Sequence, residues 1–306
     1  MKHLLTLHDL TTDEINQILD LAKKLKSDLK AGIVNEPIKG KTLGMIFSKS
    51  STRTRVSFEV GMGQLGGRAL FLSSNDIQLG RGESIYDTAN VLSRYLDGIM
   101  IRTYAQSDVE DLAKYGSIPI INGLTDLVHP CQILADFQKI EEYKGRRGDL
   151  KIAYVGDGNN IAHSLLYGSA KLGVDISVAS PENYTCNEEV VANAKDDAKK
   201  TGAQIILTND PKEAVKNADV VITDTWCSRG QDAEKQERIK AFQGIQVDKN
   251  LFGLAKDDAI FMHCLPAYRG YEVSEDIIDG PMSVIFDEAE NRLHAQKAVM
   301  QLLMSE

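Results

Sequence analysis

Thr42-Leu43-Gly44-Met45-Ile46-Phe47 leads through Ser48-Lys49-Ser50 into Ser51-Thr52-Arg53-Thr54-Arg55, and then into Val56-Ser57-Phe58-Glu59-Val60-Gly61-Met62. The first segment is an apolar run of strand length and the last reads as a helix packing an apolar face, so the stretch is a strand-to-helix unit. Ser51 or Thr52 is a natural N-cap for that helix. Its first-turn N–H groups lack partners within the helix, and the dipole favours an anion beside them. Arg53 and Arg55 add forked, charge-assisted donors that suit phosphate geometry. A capped surface helix with solvated charges is the bland alternative. Two arginines at a helix start run against the dipole, however, and need another reason to be there.

Working outward, the same unit recurs. A first amphipathic helix starts at Thr11-Thr12-Asp13-Glu14, a capping-box pattern, and keeps Ile15, Ile18, Leu19, Ala22, Leu25 and Leu29 on one face. Strands are expected over 42–47, 68–72, 97–101 and 118–121, with helices over 53–65, 83–95, 107–115 and 131–144. After the break at Gly145-Arg146-Arg147-Gly148-Asp149, strands follow over 151–155, 174–179, 203–207, 219–223, 259–263 and 283–286. Helices fall near 160–172, 187–200, 211–217 and 232–242, and a terminal helix near 288–304. Alternating strands and helices imply an α/β protein with parallel sheets covered on both faces. We expect two doubly wound domains: residues 1–135 with 288–306, and 150–287, joined by a connecting helix and linker over 136–149.

Bulk properties narrow the function. The chain has 306 residues, 42% of them hydrophobic and 26% charged, with a net charge of −9. That balance argues against a nucleic-acid partner, which usually meets a basic stripe. Basic residues focused in an acidic chain instead suit a small anion. No apolar run approaches the ~20 residues of a membrane span. Met1-Lys2-His3-Leu4-Leu5-Thr6 lacks a signal-peptide pattern, so a cytoplasmic location is expected. Cys131, Cys186, Cys227 and Cys264 show no CxxC spacing, and each reads first as a small buried hydrophobe.

In parallel sheets ligands bind beyond the carboxyl ends of the strands. Polar residues gather at those ends repeatedly: Arg102-Thr103, Asn122-Gly123 with His129-Pro130-Cys131-Gln132, Gly156-Asp157-Gly158-Asn159-Asn160, Asp224-Thr225-Trp226, and His263-Cys264-Leu265-Pro266. Gly156-x-Gly158 after a strand suggests a dinucleotide, but the third glycine position is Ile161 and no acidic residue follows the next strand. A Walker A loop is missing as well, so phosphate here calls for arginines and helix N–H groups, without a metal or an organic cofactor.

Ser51–Arg55, His129-Pro130-Cys131-Gln132 and His263-Cys264-Leu265-Pro266, in this order and spacing, resemble the aspartate/ornithine transcarbamoylase family, and most of all its ornithine-specific branch. The resemblance runs from Leu7–Thr11 to Glu290-Asn291-Arg292. It implies carbamoyl phosphate and L-ornithine as small-molecule substrates and citrulline and phosphate as products. It also implies that Ser51, Thr52, Arg53 and Thr54 hold the phosphate. Arg102 bridges phosphate and carbamoyl oxygens, His129 and Gln132 meet the carbamoyl end, and Arg292 completes the site. Gln78, in the loop Gln78–Ser84, reaches the site of a neighbouring subunit in the family, which implies a homotrimer with shared active sites. Asn160, Asp224, Ser228 and Arg229 match the ornithine side, and Cys264 and Leu265 lie where the attacking amine meets the carbamoyl group. Arg53, Arg102, His129 and Cys264 are the expected catalytic groups.

Two details bear on the second substrate. The aspartate-specific branch typically carries arginine after His-Pro-Leu-Pro, whereas here Ala267 follows His263-Cys264-Leu265-Pro266. The ornithine branch typically carries methionine where this chain has Arg229. That change keeps putrescine, N-acetylornithine or another amine open as the acceptor.

Overall fold

The apolar run Thr42–Phe47 forms strand β1, and Arg68–Ser73 (β2), Gly98–Arg102 (β3) and Ile120–Leu124 (β4) join it in a sheet of order β2-β1-β3-β4. The computed structural model describes residues 1–227 and 234–305. The chain divides into two compact units, Met1–Gln138 with Glu290–Glu306, and Lys139–Ala289. The first sheet lies in the first unit and all its ladders are parallel. β1 is buried from Leu43 to Phe47 and β3 from Gly98 to Ile101, the near-continuous apolar pattern of strands covered on both faces. β2, at the edge, leaves Leu70 and Phe71 exposed.

The capping box is formed: Thr11 Oγ1 accepts from Glu14 N at 3.2 Å, and Glu14 Oε2 accepts from Thr11 N at 2.9 Å. The helix it starts, Thr12–Lys30, buries Ile15, Ile18, Leu19, Ala22 and Leu25. Lys26, on the same face, donates to Asn291 Oδ1 at 2.6 Å and pairs with Glu290 Oε2 at 3.3 Å. That pair docks the C-terminal helix, Ile285–Met304, onto the N-terminal one, one residue before Arg292.

In the second unit Lys151–Val155 (β5), Asp175–Ala179 (β6), Ile205–Thr208 (β7), Val220–Thr223 (β8) and Ile260–His263 (β9) form a parallel sheet of order β7-β6-β5-β8-β9. Val155, Val221, Phe261, Trp226 and Phe242 lie in its core. The strand expected over 283–286 is not formed. Phe261 N donates to Met282 O at 2.9 Å and Val284 N to Phe261 O at 3.0 Å, an isolated bridge at Ser283. The chain then enters helix Ile285–Met304, whose first-turn Glu288 accepts from His263 N at 2.9 Å. A carboxylate thus takes a backbone donor that another strand would have taken. The helix expected over 232–242 begins outside the described residues, and Lys235–Ala241 is helical.

Each sheet reverses its strand order once, between β1 and β3 and between β5 and β8. Those switch points are where ligands of doubly wound sheets bind. Among the described residues no helix is long and apolar enough to cross a membrane.

Candidate active site

In the first unit the switch point is framed by the ends of β1 and β3. Phe47 pairs with Arg102, and Ser48 N donates to Arg102 O at 2.9 Å. Ser51 is the N-cap of helix Thr52–Gln64, its Oγ accepting from Thr54 N at 3.3 Å. Arg102 sits at a slip in register: Ile101 pairs with Asn122 but Arg102 with Leu124. The skipped residue is Gly123, where a Cβ would meet Met100 Sδ at 2.5 Å. The extra residue belongs to β4, so the slip bends that strand beside the last residue of β3.

His129 precedes helix Pro130–Lys144 and is buried, as is Gln132 one turn on. Arg292, also buried, donates through Nη1 to Gln132 Oε1 at 2.7 Å and through Nη2 to Thr54 Oγ1 at 3.1 Å. Gln132 Nε2 in turn donates to Asp136 Oδ1 at 2.8 Å. Burial, then the charges of Arg292, Arg102 and Arg53, hold the His129 imidazole well below its usual range. A neutral imidazole therefore lies within electrostatic reach of three guanidinium groups drawn from three separate segments.

Arg55 departs from the reading of paired arginines at the helix start. Its guanidinium carbon lies 3.8 Å from the Phe71 ring centroid and its Nε 3.7 Å from Glu59 Oε2. A residue two positions past Arg53 on a helix points to a different face. Lys49, which the sequence reading passed over, is buried, pairs with Asp126 and lies 4.2 Å from the Tyr104 ring centroid. Cys131 is core: its thiol donates to Asn122 O at 3.4 Å, and burial pushes it up to about 12. Gln78 is exposed and opens the turn Gln78–Arg81.

The second unit places a carboxylate at its switch point. Asp224, just after β8, is buried, and its Oδ1 accepts from Thr225 N at 2.8 Å and from Cys264 Sγ at 3.2 Å. Its Oδ2 accepts from Asn159 Nδ2 at 2.8 Å. Asn159, not Asn160, is the N-cap of helix Asn160–Leu172, and Asn160 is that helix's first residue. Cys264 and Leu265 follow β9 in a bent turn: Leu265 takes a left-handed backbone (φ 56°), and its N–H donates to His263 Nδ1 at 2.9 Å. The other ring nitrogen of His263 faces Glu272 Oε1 at 3.2 Å. Ser228 and Arg229 lie outside the described residues.

Asp224, His263 and Cys264 bring possible ligand atoms within 4.8 Å of one another. Both ring nitrogens of His263 already have hydrogen-bond partners, so a metal ion there would displace one of them. Arg238 is buried, paired with Asp157, and donates to Trp226 O at 2.6 Å. Burial pushes the Asp157 carboxyl up to about 6, against the pull of Arg238.

Residues 2–142 match the family model described as the carbamoyl-P binding domain of aspartate/ornithine carbamoyltransferase, and residues 148–303 match that of its Asp/Orn binding domain. An ornithine carbamoyltransferase of Caldicellulosiruptor saccharolyticus is 64% identical over 98% of this chain and 97% of its own length. The solved ornithine carbamoyltransferase from Pyrococcus furiosus superposes with a TM-score of 0.96 at 56% identity, covering 99% of this chain and 97% of that one. An anabolic ornithine carbamoyltransferase from Campylobacter jejuni gives a TM-score of 0.94 at 45% identity, covering 99% of each.

Proposed function

This chain belongs to the aspartate/ornithine carbamoyltransferase family, and we propose that it transfers the carbamoyl group of carbamoyl phosphate to the δ-amine of L-ornithine, giving L-citrulline and phosphate. The observation that carries this reading is the pair of opposite charges at the two switch points. The charges of Arg53, Arg102 and Arg292 act on His129 at one, and Asp224 accepts from Cys264 at the other. The first suits an anionic carbamoyl donor and the second an acceptor that carries an ammonium group.

In this reading Ser51, Thr52, Arg53 and Thr54 hold the phosphate through side chains and helix N–H groups. Arg102, His129, Gln132 and Arg292 meet the carbamoyl end. Asn160 and Asp224, with Ser228 and Arg229, bind the amino-acid end of ornithine, and Cys264 and Leu265 direct the amine. The amine nitrogen bonds to the carbonyl carbon, the carbon–oxygen bond to phosphate breaks, and the nitrogen sheds a proton. Negative charge develops on the carbonyl oxygen and the leaving phosphate, where fixed guanidinium groups act without reorganising. The amine must be neutral to attack, although an alkyl amine ordinarily titrates near ~10.4. Exclusion of water favours that neutral form.

We also propose a homotrimer with shared sites, placed in the cytoplasm and serving arginine biosynthesis. Leu70 and Phe71 on edge strand β2, and Val56 and Val60 on the helix packed against it, are each exposed, which supports association. The exposure of Gln78 supports a role for it outside its own subunit. The test is citrulline formation from carbamoyl phosphate and ornithine, run beside putrescine, N-acetylornithine and aspartate. Selective turnover of ornithine is expected. Preference for another amine would overturn the acceptor half of the reading, and no turnover would overturn the whole.

A further inference from the structure

We infer that Asn159 is a positioning residue for Asp224, whose carboxamide fixes the direction in which that carboxylate meets the ammonium group of an amino-acid acceptor. The inference rests on the ornithine reaction proposed above. Asn159 follows β5 and Asp224 follows β8, the two strands that flank the switch point of the second sheet.

Asn159 Oδ1 accepts from three donors: Ile161 N at 3.0 Å, Ala162 N at 3.3 Å and the Tyr154 hydroxyl at 3.3 Å. Three donors converging on one atom identify it as the oxygen of the amide, an assignment that usually has to be argued from the network. Nδ2 then has to face Asp224 Oδ2, 2.8 Å away. Tyr154 is wholly buried, and burial with Asp224 nearby keeps its phenol protonated, far above its usual range. It therefore serves as a donor, and a chain of hydrogen bonds runs from Tyr154 through Asn159 to Asp224.

Thr225 N and Cys264 Sγ hold the other oxygen of Asp224. The carboxylate is thus gripped on both oxygens by donors from the loops after β5, β8 and β9. The terminal torsion of an aspartate is broad when unrestrained. Held on both oxygens it keeps one orientation, and its remaining lone pairs keep fixed directions toward a ligand. Asn159 supplies the donor to Oδ2 and, through its own cap, ties that donor to the start of helix Asn160–Leu172.

Two variants separate the cap from the donor. Asn159→Ser retains a hydroxyl that caps a helix about as well as asparagine does, but it is too short to reach Asp224. Asn159→Asp retains the size, the cap and the bond from Tyr154, and replaces the donor with a second carboxylate. Initial rates with ornithine and with carbamoyl phosphate varied in turn, together with thermal melts, give the readouts. Asn159→Ser should melt close to wild type, and Asn159→Asp should melt lower at neutral pH and recover as the pH falls. Both should keep the carbamoyl phosphate KM within about twofold, while the ornithine KM rises about tenfold or more. In Asn159→Asp the rise should shrink as the pH falls, because a proton shared by two adjacent carboxylates restores a donor. In Asn159→Ser it should not change with pH. Unchanged ornithine KM in both variants of an active enzyme, or equal rises in both substrates' KM, overturns the positioning role and leaves the reaction standing. A wild-type protein that does not turn over ornithine overturns the reaction and this inference with it.

Discussion

Arg292 Nη1 donates to Gln132 Oε1 at 2.7 Å, joining residues 160 positions apart. The same guanidinium donates to Thr54 Oγ1 at 3.1 Å. One side chain from the C-terminal helix therefore pins both the helix after His129 and the capped helix at Ser51. Its own place is fixed by the neighbouring Asn291 and Glu290, which hold Lys26. The proposed anion site is thus assembled with a C-terminal segment that returns to the first unit.

Arg292→Lys keeps the charge and loses the fork that serves two acceptors at once. We expect kcat/KM for carbamoyl phosphate to fall about tenfold to a hundredfold, the range of hydrogen bonds to charged groups. Steady-state kinetics with saturating ornithine measure it. A lysine variant within about twofold of wild type would mean that charge alone suffices at this position.

Arg53→Ala removes one of the three guanidinium groups acting on His129. Loss of one preorganised donor at a developing oxyanion costs about 10²–10³ in kcat. Arg53 is half-buried at the helix start, and the Ser51 cap does not depend on it, so the melting temperature should hold. Turnover at the wild-type rate in a folded variant would remove Arg53 from the site.

His129 is held neutral, with a folded value well below 6.5. Below that pH the unfolded chain binds a proton that the folded chain refuses, so stability falls as the pH drops through the usual histidine range. His129→Gln lacks this contribution. Denaturant unfolding between pH 7.5 and 5.5 should show wild type losing more stability than the variant. A steeper loss in the variant would mean that the folded protein protonates His129.

The placement of much of the candidate site was legible in the sequence because its residues stand where strands end, and strand ends are set by apolar runs. Ser51, Arg102, His129, Asp224 and Cys264 all follow that rule. What the sequence hid depends on tertiary partners. Ser283-Val284-Ile285-Phe286 has strand composition, yet Glu288 reaches His263 N and the chain turns helical. Asn159 and Asn160 are chemically identical neighbours, and only the cap geometry separates the one that holds Asp224. Arg55 matches the motif, but helical rotation carries it to Phe71. Arg238 gave no local signal, since a buried cation is recognised by its partner and Asp157 lies 81 residues away.

Asp157 and Arg238 set burial against charge. Burial is the larger influence and raises the Asp157 carboxyl from 3.8 to about 6. A raised folded value means that the folded state binds the proton more readily between those two pH values. Stability from this group is therefore lost as the pH rises from about 4 to about 6. Asp157→Asn mimics the protonated form at every pH. The variant should gain on wild type over that window and hold the gain above it, as read by urea unfolding at pH 4.5, 5.5 and 7. The opposite trend would show that the ion pair with Arg238 outweighs desolvation.

The proposed trimer makes a quantitative statement about mixing. If each site takes Arg53 from one subunit and Gln78 from the next around a ring, an Arg53→Ala chain and a Gln78→Ala chain complement each other. In a ring assembled at random from equal amounts, a site is complete when a Gln78→Ala subunit precedes an Arg53→Ala subunit. That order occurs at about one site in four. Denaturing and refolding the two inactive variants together should therefore restore about a quarter of the wild-type rate. Separate refolding of each variant should restore none. The exposed position of Gln78 on its own chain fits this arrangement. Absence of recovery, with mixed rings verified by native mass spectrometry of differently tagged chains, would place the whole site within one subunit.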